Sequence, residues 1–255
     1  SGRVTRANIF DVVEKRVAAA NVQRLIIYFA GHGFLKGPLD EFWLLSRAPT
    51  DSAEAVNVTL SAAMARYKGI PEIIFISDAC RVVPKTGLHS GIIGASIFPS
   101  SAPKSDSAEI DFYYGTHPGD PAFERNETEA ERAHGLFTKE LLEAHINAPA
   151  EALLEIGGRQ YVRNRWLKKV LKDRVDDRAQ KIDLALTQKP DVQLQIENGY
   201  IALNEVPEEH AFAHRGLSGV EFRHKMIRRV DLQTRSASPM APRPPRPSDD
   251  AIVGA

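Results

Sequence analysis

Two short apolar runs, Leu25–Ala30 and Ile73–Ile76, break off abruptly into small or polar residues, and "EIDFYYGT" (Glu109–Thr116) does the same. Runs this short, rich in β-branched and aromatic residues, predict strands covered on both faces of a parallel sheet. Helical spacing fills the intervals. Ile9, Val13 and Val17 recur at four-residue steps within Thr5–Ala20, with Phe10 beside them. Thr59 is placed to cap a helix carrying Leu60, Ala63, Met64 and Tyr67 on one face. His134–His145 shows the same periodicity in Leu136, Phe137, Leu141 and Leu142, and Gln160–Arg178 shows it in Val162, Trp166, Leu167, Val170, Leu171 and Val175.

Between these elements, Ala30–Gly37 reads as a Gly-rich loop and "EFWLLS" (Glu41–Ser46) as a short strand or hairpin arm. The irregular stretch from Val82 to Ala108 is long for a compact domain, a length that usually serves function or disorder. Val192–Leu203 predicts a hairpin or late strand turning at Asn198–Gly199. From Arg235 the chain becomes Pro-rich, as in an extended or disordered tail.

The strand ends carry the chemistry. In open α/β sheets ligands bind beyond the carboxyl ends of the strands. His32, flanked by Gly31 and Gly33, ends the first strand, and Cys80, the single cysteine, ends the second. Neighbouring parallel strands would bring an imidazole and a thiol to one rim. A thiol is a weak nucleophile until ionised, and an adjacent imidazole takes its proton and later returns one to the leaving amine. Alone, such a cysteine reads as a small buried hydrophobe, and such a histidine as one that only satisfies a loop.

Composition narrows the classes. The 255 residues hold 33 basic and 33 acidic side chains, so net charge gives no pull towards nucleic acid or anionic membrane. No apolar run approaches the roughly 20 residues of a membrane span, and "SGRVTRANIF" has no signal-peptide core. One cysteine excludes an internal disulfide, which fits a reducing, cytoplasmic setting. Arg163, Arg165, Lys168, Lys169, Lys172 and Arg174 give the Gln160 helix a basic face, which reads either as solvated or as a nucleic-acid or acidic-partner surface. His210 and His214, near Glu208 and Glu209, read equally as part of a surface helix or as an incomplete metal set, so no metal site is assigned.

"LIIYFAGHG" and "EIIFISDACR", with the histidine 48 positions before the cysteine, resemble the caspase and metacaspase superfamily. Its caspase signature reads Q-A-C-[RQG]-G with a histidine about 50 residues upstream. Here Asp78 replaces the glutamine and Val82 the final glycine. "DFYYGTHPGDPAFERN" and "HGLFTKELL" resemble that family's late strand, substrate-binding turn and next helix, and "QKPDVQL" (Gln188–Leu194) does so more weakly.

The resemblance implies a cysteine endopeptidase on a caspase-like α/β fold, a mostly parallel sheet flanked by helices. It implies Cys80 as nucleophile, His32 as base, and the N–H groups of Gly33 and Cys80 as the oxyanion site. Asp78, two residues before the thiol, is expected on the same rim, where a carboxylate attracts Arg or Lys at the P1 position and repels acidic residues; the alternative is that it merely caps or hydrogen-bonds the following turn. Asp120 and Glu124 could add negative charge, while Arg125 stands out of register with the arginine caspases use for an acidic P1. Tyr114–Thr116 is expected to lend backbone groups to an extended substrate.

Members of the superfamily open with strands that precede the first helix here, so Leu25–Ala30 is expected to have an unpaired edge, with the missing strands supplied by another polypeptide. The expected organisation is a catalytic domain over residues 1–206, an extension over 207–234 and a tail over 235–255. Lys85 and Lys104 in the long loop, and Arg235 in the tail, are candidate self-cleavage sites, whereas Arg243 and Arg246 precede proline. No cofactor is required, and calcium enters only through the resemblance to metacaspases. Besides the protein substrate, an activator is a conceivable partner; a membrane is not expected. The alternative function is a silent caspase-like module that binds a partner through the same groove.

Overall fold

The computed structural model describes residues 3–84, 87–100, 107–125, 134–196, 198–203 and 250–254. Helix α1 (Arg6–Ala19) begins where the Thr5 hydroxyl accepts the Asn8 N–H at 3.3 Å, and it buries Ile9, Val13 and Val17. Strand β1 (Arg24–Gly31) follows. The predicted Gly-rich loop is in fact half of a hairpin, β2 (Gly33–Lys36) against β3 (Asp40–Leu44), extended by β4 (Ala55–Asn57). Phe34 and Phe42 stand opposite each other across the pair, and their rings stack.

Helix α2 (Val58–Ala65) is capped by Asn57, whose side chain accepts the Leu60 N–H at 2.7 Å. The expected cap, Thr59, instead donates to the Leu39 carbonyl and accepts the Glu41 N–H, tying the helix to the hairpin. Strand β5 (Glu72–Ala79) and strand β6 (Glu109–Tyr114) occupy the predicted positions. Beyond them come the short pair β7 (Glu124–Arg125) and β8 (His134–Gly135), then helix α3 (Leu136–Ile146).

The predicted Gln160 helix starts later. Residues Leu153–Ile156 (β9) and Arg159–Arg163 (β10) form a hairpin, and helix α4 spans Asn164–Ile182. Nor do the strands within 192–203 pair with each other. Strand β11 (Asp191–Gln193) runs antiparallel to β6, while β12 (Tyr200–Leu203) joins β10. Alternation marks a strand but does not name its partner.

The main sheet has the order β11–β6–β5–β1, closed at its far edge by β13 (Asp250–Gly254), which runs parallel to β1. The edge of β1 is therefore paired, from Arg24 opposite Asp250 to Tyr28 opposite Gly254. This overturns both the expected open edge and the reading of the last residues as a disordered tail. The preceding extension, with His210 and His214, lies outside the described residues. One face of the sheet (Leu25, Ile27, Phe29, Ile73, Phe75) packs on Ile9, Val13 and Val17 of α1 and Ala62 and Ala65 of α2. The other (Ile26, Ile74, Ile76, Tyr113) packs on Phe137 and Leu141 of α3 and Leu167, Leu171 and Val175 of α4. This mixed α/β architecture, with its mostly parallel central sheet, matches the expected fold class.

Candidate active site

The register of the two central strands sets the site. Strands β1 and β5 pair in parallel with Gly31 opposite Ala79, so His32 and Cys80 are the next residue of each strand. Neighbouring strands lie about 4.8 Å apart, which delivers the exposed imidazole and the half-buried thiol to one end of the sheet side by side. The His32 carbonyl accepts the Leu44 N–H at 2.8 Å, fixing the histidine to the hairpin. Gly33 then passes so close to the cysteine loop that an added Cβ would lie 2.9 Å from the Cys80 carbonyl oxygen and 2.9 Å from the Ala79 Cβ. A further bond, Leu35 N–H to the Val82 carbonyl at 2.9 Å, ties the hairpin to the chain beyond the cysteine.

The third wall is the loop after β6. The Cys80 thiol donates to the Ala122 carbonyl at 3.5 Å, and the Ala122 N–H donates to Sγ at 3.3 Å. Arg81 N–H donates to the Asp120 carbonyl, and Gly119 N–H to the Arg81 carbonyl. Backbone of Gly119–Ala122 thus runs against Cys80–Arg81.

Beneath it lies a buried charge network that the motif "DACR" contained but that the sequence reading did not interpret. Arg81 Nε donates to Glu41 at 3.0 Å, and Nη1 donates to Asp191 at 3.0 Å and to the Thr116 carbonyl at 3.3 Å. Its guanidinium lies 3.8 Å from the Tyr114 ring centroid. Glu41 also accepts from Ser77, which itself accepts the Trp43 indole N–H. Burial raises the Glu41 carboxyl above its ordinary range, with Arg81 and Ser77 pulling against it.

The predicted pocket residues separate. Tyr114 and Thr116 are buried, and the backbone of this stretch is already engaged: Tyr114 opposes Asp191, Gly115 N–H binds the Ser77 carbonyl, and Thr116 accepts from Arg81. They do not offer the free edge expected for substrate, because β11 occupies it. Asp120 and Glu124 are exposed near the thiol loop, and nothing is described of the Arg125 side chain.

Asp78 is only 5% exposed, with its carboxylate at the first turn of α3, where it accepts Thr138 N–H at 2.9 Å and Thr138 O–H at 2.5 Å. The helix has Gly135 at its N-cap, with no side-chain cap of its own, so Asp78 supplies that acceptor from the sheet. A Cβ at Gly115 would lie 3.2 Å from Oδ1, and one at Gly135 would collide with Oδ2. Burial pushes the Asp78 carboxyl up to about 6, against the Thr138 hydrogen bonds; Glu124 adds to the rise and His134 opposes it. The common rim with the thiol is thus an incomplete description: the carboxylate sits below the surface, electrostatically coupled to Glu124.

The sequence model of the caspase domain family, Peptidase C14, matches residues 2–165. The chain belongs to the caspase domain family. That places it among cysteine-protease-type domains, which act on protein substrates. A crystal structure of a Geobacter sulfurreducens protein is also similar, at 18% identity and a TM-score of 0.45 over 74% of this chain and 72% of that one. Among curated proteins there is no match.

Within this caspase-domain chain, Lys85, Lys104 and Arg235 fall outside the described residues. Among the described residues no group of three His, Cys, Asp or Glu side chains could hold a metal ion, so no calcium-binding set is found there. None of the described helices is long and apolar enough to cross a membrane.

Proposed function

We propose that this chain is a cysteine endopeptidase that cleaves after Arg or Lys, with Cys80 as nucleophile and His32 as general base. The observation that carries the reading is the β1–β5 register, which sets His32 and Cys80 side by side at adjacent strand ends with Gly33 against the Cys80 carbonyl. His32 takes the thiol proton, and Sγ attacks the scissile carbonyl carbon. Backbone N–H groups of Gly33 and Cys80 stabilise the resulting oxyanion. The C–N bond then breaks as His32 protonates the leaving amine, and water hydrolyses the thioester. Substrate entry requires the thiol to release the Ala122 carbonyl, which becomes free to accept an amide from the incoming chain.

Specificity follows from charge. Asp78, buried with Gly115 and Gly135 packed against its carboxylate, and the exposed Glu124 favour a cationic P1 side chain over an acidic one. Matched fluorogenic peptides with Arg, Lys or Asp at P1 test this directly. Release from Arg and Lys peptides, abolished in both Cys80→Ala and His32→Ala, is the expected result. Preference for Asp would overturn the pocket.

Self-cleavage after Lys85, Lys104 or Arg235 belongs to the same reading. Intact mass spectra of an active preparation showing no fragments would dismiss it. A second reading, a silent module binding a partner in this groove, is favoured by one observation: both bonds of the thiol are taken up by Ala122. Failure of Cys80 to react with an electrophilic Arg peptide, alongside normal reaction with iodoacetamide, would support that module instead.

A further inference from the structure

Gln188 opens the segment 188–194, which resembles the family only weakly, and is no part of the dyad, yet it is completely buried. Its amide spans the two ends of the loop that walls the thiol. Nε2 donates to the Gly115 carbonyl at 2.9 Å, where the loop leaves β6, and Oε1 accepts the Phe123 N–H at 2.9 Å, where it returns. The orientation of the amide is fixed by its partners, since the first is only an acceptor and the second only a donor. Gln188 is itself anchored, its own N–H donating to Asp176 of α4 at 3.1 Å.

What hangs between these two bonds is the working surface of the site. Gly115 packs beside the Asp78 carboxylate, Ala122 holds the Cys80 thiol, and Glu124 follows Phe123 directly. One neutral side chain therefore sets the distance between the floor of the pocket and its rim. A buried amide with both groups satisfied is costly to replace by anything that satisfies only one. Three residues on, Asp191 holds Arg81, so the segment Gln188–Asp191 braces both the loop that holds the thiol and the residue that follows Cys80.

We infer that Gln188 is a positioning residue for the loop 115–124, setting P1 recognition and the access of Cys80 while taking no part in bond making. The recognition half of this inference rests on the peptidase reading above. Loss of Gln188 frees the loop, so it should weaken substrate binding more than turnover, and it should loosen Ala122 from the thiol.

The test compares Gln188→Met, of similar length but unable to form either bond, with Gln188→Asn, which keeps the amide but is too short to reach both partners. In an Arg-P1 peptide assay both variants should raise KM at least tenfold with kcat changed less than threefold. In parallel, iodoacetamide modification of Cys80, unambiguous because the chain has one cysteine, should be at least threefold faster in both folded variants. Unchanged KM, or equal losses in kcat and KM's reciprocal, would overturn the recognition role. An unchanged alkylation rate would overturn the inference as a whole. If the unmodified chain cleaves no peptide, the peptidase reading fails, and the alkylation comparison still decides whether Gln188 sets the loop. Should Gln188→Met not fold, Gln188→Asn carries both readouts.

Discussion

Gly33 and Cys80 meet through their main chains: a methyl group at position 33 would lie 2.9 Å from the Cys80 carbonyl oxygen, with the Phe42 carbonyl only 3.2 Å away on the other side. Neither neighbour is the mobile end of a side chain, so neither can yield without moving a strand. The residue after the proposed base is thus held against the proposed nucleophile by contact that only glycine permits.

Gly33→Ala should therefore separate the two loops. Overpacking of this kind costs about 1–3 kcal/mol, visible as a lower urea midpoint with an unchanged slope. Peptide cleavage should fall by much more than the folded fraction does, because the Gly33 N–H and Cys80 are displaced together. A variant of full activity would show that the close approach has no part in the site.

Asp78 predicts a pH dependence. Its carboxyl, ordinarily near 3.8, titrates at about 6 in the folded chain. A raised acid holds its proton in the native state where the unfolded state has lost it, so its contribution to stability is complete below pH 3.8 and declines as pH rises to about 6. Asp78→Asn should flatten that part of the stability profile. Catalysis should run the other way: kcat/KM for an Arg peptide should fall as pH drops through about 6, since only the ionised carboxylate attracts the guanidinium. At pH 7.5, Asp78→Asn should lower kcat/KM for the Arg peptide on the order of 30-fold, the loss of one charge-assisted hydrogen bond. Equal pH profiles in the two proteins would remove Asp78 from the pocket.

These two residues also mark how far the sequence reaches. The strands ending at His32 and Cys80 were legible because buried parallel strands are short, continuous apolar runs, and the strand-end rule then put the imidazole and the thiol together. Asp78 was legible as chemistry but not as geometry. Alternation places it on the face of Ile74 and Ile76, and what covers that face, the first turn of α3, comes from 60 residues away. The same limit hid Gln188, Glu41 and Asp191. Each is a polar residue whose partners are remote in sequence, and no local pattern distinguishes a buried glutamine from an exposed one. Thr59 shows the reverse error, a sound local cap signal overridden because the hairpin at Leu39 and Glu41 offers its hydroxyl better-placed partners.

Arg81 should be a stability residue whose loss reaches the site. Replacing it by Met leaves the buried Glu41 and the partly buried Asp191 carboxylates without their shared cation. Breaking a buried pair from one side costs about 3–5 kcal/mol. Adding Glu41→Gln to Arg81→Met should return part of that loss, since the amide can still accept from Ser77 without a charge to satisfy. Unfolding free energies of the unmodified chain, of Arg81→Met, of Glu41→Gln and of the double variant give the coupling, and strict additivity would mean that the pair acts as two independent residues.

The outer edge of β1 offers the last prediction. Five residues, Asp250–Gly254, pair along it in parallel, so the central strand that leads to His32 is flanked on both sides. Without them, the N–H and C=O groups on one side of β1 would face solvent as an exposed edge of a largely apolar strand, a template for association between chains. A chain lacking residues 250–255 should lose about 1 kcal/mol per ladder hydrogen bond and should scatter light on warming at temperatures where the full chain stays clear. A synthetic peptide spanning the removed residues, added in excess, should suppress that scattering if strand pairing is the cause. Because β1 positions His32 and not Cys80, peptide cleavage in the truncated chain should decline while iodoacetamide modification of the thiol persists. An unaltered midpoint together with unaltered cleavage would show that β13 contributes nothing to the sheet in solution.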